Sequence, residues 1–176
     1  MLTLPPIPSW QAIHPLIVHF PIALLLITPL FIVIGVVRKP ERSFPFLLVA
    51  LILMALGTVS TFVAASSGEA AGELAENVPQ AKAVLEQHQE LAETTEIAFS
   101  ALTLIFASIL FVPRVLKREP TRAISTILPL VFLMFYATGA ISLANTAHQG
   151  GRLVHELGVR AQMQPGAVAI ESAERE

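Results

Sequence analysis

The sequence predicts an all-α fold: an integral membrane four-helix bundle, both termini outside, with a helical outer connection between spans two and three. Three observations carry that prediction. The chain is 54% hydrophobic and 14% charged, with a mean hydropathy of +0.69. Four stretches, Pro15–Val37, Phe44–Gly68, Ile97–Pro113 and Ala123–Ala147, contain no Lys, Arg or Glu. The connections after the first and third stretches hold seven of the eleven basic residues, whereas residues 68–96 hold seven Glu and only Lys82.

A helix needs about 20 apolar residues to cross the ~30 Å hydrocarbon core. Three stretches meet that length. Ile97–Pro113 has 17 residues, so its helix is expected to start upstream, among Leu91–Thr95. None of the runs has the polar face of a soluble helix. By the positive-inside rule the loops with Arg38, Lys39, Arg42 and with Arg114, Lys117, Arg118, Arg122 face the cytoplasm. The termini and the acidic connection then face the periplasm of a bacterial inner membrane. No basic segment precedes the first apolar run, so no cleavable signal peptide is expected. Trp10 suits an outer-interface anchor.

The first span opens on Pro15, which has no N–H to satisfy in a first helical turn. Pro21 and Pro29 leave the carbonyls of Ile17 and Leu25 without their helical partners. Ser66 to Glu69 matches a capping box, with Ser67 the other possible cap, and predicts a short helix from there to Glu76. Pro79 should begin a second outer helix that runs into the third span. In the fourth span Tyr136 lies at mid-depth, where it needs a hydrogen-bond partner. Residues 1–160 form the transmembrane domain. Residues 161–176 are a loose polar tail. No internal repeat is visible.

Composition removes several functions. There is no cysteine, hence no disulfide, iron–sulfur cluster, thiolate zinc site or covalently attached haem. All thirteen acids are Glu, which disfavours EF-hand and Asp-based phosphoryl-transfer sites. A net charge of −2 gives no reason to expect nucleic acid.

The five histidines, His14, His19, His88, His148 and His155, all fall on the outer side. Histidine is rare in membrane helices and is a common metal and haem ligand. His19 and His148 lie near the outer hydrocarbon boundary, with His19 ~6 Å inside the first helix. His88 and His155 stand ~10–13 Å further out, and His14 falls between. His88, Leu91, Thr95, Phe99 and Leu102 share one stripe. His155 follows His148 by two turns if the helix survives Gly150-Gly151. Two histidines from different helices at one depth are what a b-type haem requires. The pairs expected are His19 with His148, and His88 with His14 or His155. Small residues at 64–72 and 137–147 offer clearance for a porphyrin, Phe20, Phe62 and Phe99 walls, and Arg152 or Lys82 a propionate partner.

The stretch His14–Leu25, HPLIVHFPIALL, resembles the opening of a bacterial four-span membrane family known as domain of unknown function 2231. Gly150–Val159, GGRLVHELGV, is similar to that family's closing motif, which usually carries Tyr where this chain has His155. The resemblance implies a four-helix membrane domain that often accompanies c-type cytochromes or other redox modules. It implies no established activity.

The reading expected from the residues is an electron-transfer protein in the lipid bilayer, with one or two haem b groups held by bis-histidine ligation near the periplasmic face. Its redox partner is a separate cytochrome c or similar protein. The alternatives are a zinc, iron or copper site using His14, His19, His88 and His148 with Glu69, Glu73 or Glu96, and a cofactor-free assembly subunit of a homo-oligomer or larger complex. Neither a transporter's inverted repeat nor an enzyme's nucleophile–base pair is recognisable.

Overall fold

The computed structural model describes residues 8–159, apart from 74, 76, 77, 119 and 120. The polar tail lies outside the described residues. The elements are α1 Trp10–Ile17, α2 His19–Val37, α3 Pro40–Gly72, a 3-10 turn Pro79–Ala81, α4 Lys82–Val115 and α5 Arg122–His155. Four helical segments are long and apolar enough to cross a membrane, α1 and α2 together making the first. At most a third of each apolar window is buried within the protein. Leu30, Val59, Leu104 and Met134 are among the many large side chains facing outward. Such a surface is solvated by lipid, not water.

The first span breaks at Val18, between α1 and α2. The cause is Pro21, which cannot donate to the Ile17 carbonyl one turn back. Pro29 likewise frees the Leu25 carbonyl, and the Tyr136 hydroxyl of α5 donates to it at 2.6 Å. A proline defect in one helix is thereby closed by a phenol from another. Thr28 donates to Leu24 beside it. Tyr136 also meets Phe99 edge-on, with ring centroids 5.3 Å apart. Around this pair Leu25, Ile32, Met54, Phe106 and Phe132 form the core.

The capping-box expectation is overturned. Ser66 and Ser67 sit inside α3, which continues without interruption to Gly72. In an unbroken helix the N–H groups that a cap would serve are already bonded. The Ser67 hydroxyl instead donates to the Ala64 carbonyl at 3.0 Å, a common habit of serine within helices. The expected start of the next helix at Pro79 and its unbroken run into the third span are both present. So is the buried stripe of Thr95, Phe99 and Leu102 on α4.

Helix α5 starts on a cap, Thr121 accepting from the Ile124 N–H at 3.4 Å. It then passes through Gly150 and Gly151 and ends at His155. Gly158, at φ 70°, takes the left-handed conformation that glycine favours. That turn lets the Val159 N–H reach the Leu153 carbonyl at 2.9 Å. Leu153 packs with Ala75 and Ala81, so the end of α5 and the α3–α4 connection share a small second core. All five histidines lie toward this end.

Candidate functional site

Two histidines face into the bundle here. His14 projects from α1 onto α3, where its Nδ1 lies 3.0 Å from the Ser67 hydroxyl. Ser67 is fully buried and spends its own hydrogen on Ala64. Its oxygen therefore accepts from the His14 Nδ1–H, a tautomer assigned from the network. His88 projects from α4 onto α5, and its Nδ1–H donates to the Thr146 carbonyl at 2.9 Å. A carbonyl only accepts, so the His88 proton is fixed on Nδ1 in the neutral ring.

Both imidazoles are thus held at Nδ1, which leaves the lone pair on Nε2. Neither Nε2 has a hydrogen-bond partner among the described residues. No partnerless side-chain nitrogen or oxygen there is sealed from solvent, so both Nε2 atoms keep accessible surface. Each ring also rests on a glycine. A Cβ added to Gly68 would come within 2.9 Å of the His14 Cε1, and one on Gly150 within 3.1 Å of the His88 Cε1. The small residues at these helix ends therefore seat the imidazoles.

The seats are tied together by hydroxyls. Thr95 of α4 bonds Ser142 at 2.8 Å and Thr146 at 3.0 Å, both on α5. Thr146 passes a hydrogen bond to the Ser142 carbonyl at 2.9 Å. This network fixes the stretch of α5 whose carbonyl holds His88. Both histidines stand outside the charge-free runs, on helices that also carry or face exposed Glu69, Glu86 and Glu90. A neutral imidazole with its proton on Nδ1 can act as a ligand through Nε2.

A family model described as "Predicted membrane protein (DUF2231)" matches residues 11–163. The chain belongs to this family. No curated protein and no solved structure matches it. In this DUF2231 domain the opening motif divides its two histidines: His14 points inward and His19 is exposed. They stand on either side of the break at Val18, His14 on α1 and His19 at the start of α2.

The remaining candidates lie elsewhere. His148 and His155 are exposed, so the anticipated His19–His148 pair is not brought together in the interior. His148 follows buried Gly139 by nine residues, about half a turn out of phase with it. His14 and His88, anticipated as an outer pair, each pack onto a neighbouring helix, His14 onto α3 and His88 onto α5. Arg152 is engaged within its own helix, by Glu156 at 3.0 Å and by Gln149 at 3.0 Å. Lys82 is exposed on a cleft shared with Glu69, Glu73 and Glu86. Of the three phenylalanines considered as walls, Phe20 and Phe62 face outward and Phe99 is spent on Tyr136.

Among the described residues no three His, Cys, Asp or Glu side chains converge as a metal site. The residues that hold the two rings, Ser67, Thr146, Gly68 and Gly150, carried only weak sequence signals. Gly68 and Ser67 sit in a small-residue run, and Gly150 reads as a threat to the helix.

Proposed function

We propose that this DUF2231 protein carries one redox centre, a haem b held between the Nε2 atoms of His14 and His88. One observation carries the reading. Two half-buried imidazoles, from helices far apart in sequence, each spend Nδ1 on the protein and have no partner for Nε2 among the described residues. A hydrogen bond at Nδ1 is the usual device that orients a ligating histidine and raises the basicity of its other nitrogen. The donor set also fits. Haem iron takes four nitrogens from the porphyrin and two from the protein, whereas a protein-only zinc or copper site takes three or four side chains. When bound, haem would supply one-electron transfer, and two protein ligands leave no open position for a substrate.

The chain's own part is to aim and hold the rings. Ser67 and Thr146 fix their tautomers, the glycine seats fix their planes, and Thr95 pins the helix that carries Thr146. The basic loops at the opposite end support an orientation with this site at the periplasmic face of a bacterial inner membrane. The electron partner is then a separate cytochrome c or similar redox protein. The exposed carboxylates of Glu69, Glu86, Glu90 and Glu93 favour a partner with a basic docking face.

A reduced-minus-oxidised absorption spectrum of protein purified from haem-supplemented cells tests the proposal. The expected result is a sharp low-spin haem signal, lost in His14→Ala and in His88→Ala but retained in His19→Ala and His148→Ala. A flat wild-type spectrum with stoichiometric zinc or copper would replace haem by another metal. A flat spectrum with no metal would leave a cofactor-free assembly subunit whose imidazoles only pack.

A further inference from the structure

The opposite end of the bundle has no part in that site and carries its own chemistry. Two loops distant in sequence meet there, because the Arg114 guanidinium of α4 lies 3.8 Å from the centre of the Phe44 ring on α3. Arg38 lies over Phe46 at 5.5 Å on the same helix. Exposed Arg38, Lys39, Arg42, Arg114, Lys117 and Arg118 are thereby gathered at one rim, against Glu41 as the described carboxylate nearby. The one ion pair among the described residues is Arg152–Glu156, at the other end. Among the described residues these six cations have no carboxylate partner.

Two local features go beyond a merely basic loop. Arg114 turns back along its own helix to donate to the Leu110 carbonyl, with its guanidinium carbon over the Phe44 ring. Its other N–H groups remain for an acceptor, and a guanidinium over a ring has already lost water from that side. The second feature is the end of α4. The Lys117 N–H bonds the Arg114 carbonyl at 3.1 Å, and the Arg118 N–H bonds that of Pro113 at 2.8 Å. This is a Schellman closure, and its left-handed position normally belongs to glycine. Lys117 occupies it at φ 50°, the only non-glycine with positive φ among the described residues. The chain keeps a strained lysine beside Arg114 where glycine would relax the backbone. Strain kept at a charged position points to a use for the charge.

We infer that this rim binds the phosphate of an anionic phospholipid, with Arg114 as the bidentate donor and Lys117 as the second cation. The guanidinium fork matches phosphate oxygens, and its place at the end of the apolar run sets it at headgroup depth. A lipid is favoured over free phosphate because Val112, Val115 and Leu116, exposed on the last turn of α4, offer a path for acyl chains.

The test uses the purified full chain in detergent, titrated with phosphatidylglycerol or phosphatidylcholine and read by native mass spectrometry. The wild type should retain phosphatidylglycerol at least about fivefold more strongly, from roughly the attraction of one cation at a membrane surface. Arg114→Gln should lose most of that preference. Lys117→Gly should lose part of it while melting no lower than wild type in lipid-free detergent, which separates lost binding from lost folding. Equal retention of both lipids by wild type would overturn the inference, as would full preference in Lys117→Gly. Displacement of phosphatidylglycerol by millimolar inorganic phosphate would overturn the assignment to a lipid.

Discussion

The two ends of this bundle are made of opposite materials. At the histidine end, imidazoles are gripped from two sides, by a glycine beneath and a hydrogen bond at Nδ1. At the cationic end, guanidinium groups lie on aromatic faces, with no carboxylate among the described residues to hold them. The first arrangement fixes direction and leaves one nitrogen of each ring open. The second leaves charge facing the boundary layer. The difference teaches that charge and hydropathy locate the ends of a membrane bundle, while close packing decides which way the side chains at each end face.

The contrast can be broken most severely at the glycine seats. Gly68→Ala and Gly150→Ala put a methyl group within about 3 Å of a ring, and overpacking of this kind costs roughly 1–3 kcal/mol. Absorption titration with haem should show weaker uptake by about tenfold in each, and normal uptake in Gly151→Ala, where no atom lies within 4 Å. Next comes the join between the ends. Tyr136→Phe strands the Leu25 carbonyl in the apolar interior, so the thermal midpoint in detergent should fall by the equivalent of about 1–3 kcal/mol. Haem uptake should be unchanged. A midpoint equal to wild type would mean that another group closes the Pro29 defect.

Thr95→Val sharpens the comparison with a smaller effect. It removes hydrogen bonds across α4 and α5 worth about 0.6 kcal/mol on average in membrane proteins. The melting change should be slight, yet the reduction potential should shift, because the carbonyl holding His88 is released. An unchanged potential would confine Thr95 to packing.

Arg38→Ala at the cationic end should change stability by less than about 0.5 kcal/mol, as expected of an exposed cation.

Much of the fold was legible because lipid imposes simple rules. Charge-free length located the spans, helical period found the Thr95, Phe99, Leu102 stripe, and proline chemistry marked the Ile17 and Leu25 carbonyls in advance. Tyr136 read as a residue in search of a partner, and its partner is one of those carbonyls. The capping box at Ser66 misled because it is a local pattern, and α3 had apolar contacts enough to continue past it. The histidines were only half legible. Rise per residue gives depth, so all five could be placed along the axis. Which way a ring faces depends on how helices pack, and that separated His14 and His88 from His19 and His148. The glycine seats were invisible as seats, since a small residue announces clearance without naming what fills it.

The central claim is tested most directly by an experimental structure of the purified protein, with anomalous scattering recorded at the iron edge. One iron peak, bonded to Nε2 of both His14 and His88, is expected. A peak elsewhere, or two well-ordered rings with water or lipid between them, would contradict it.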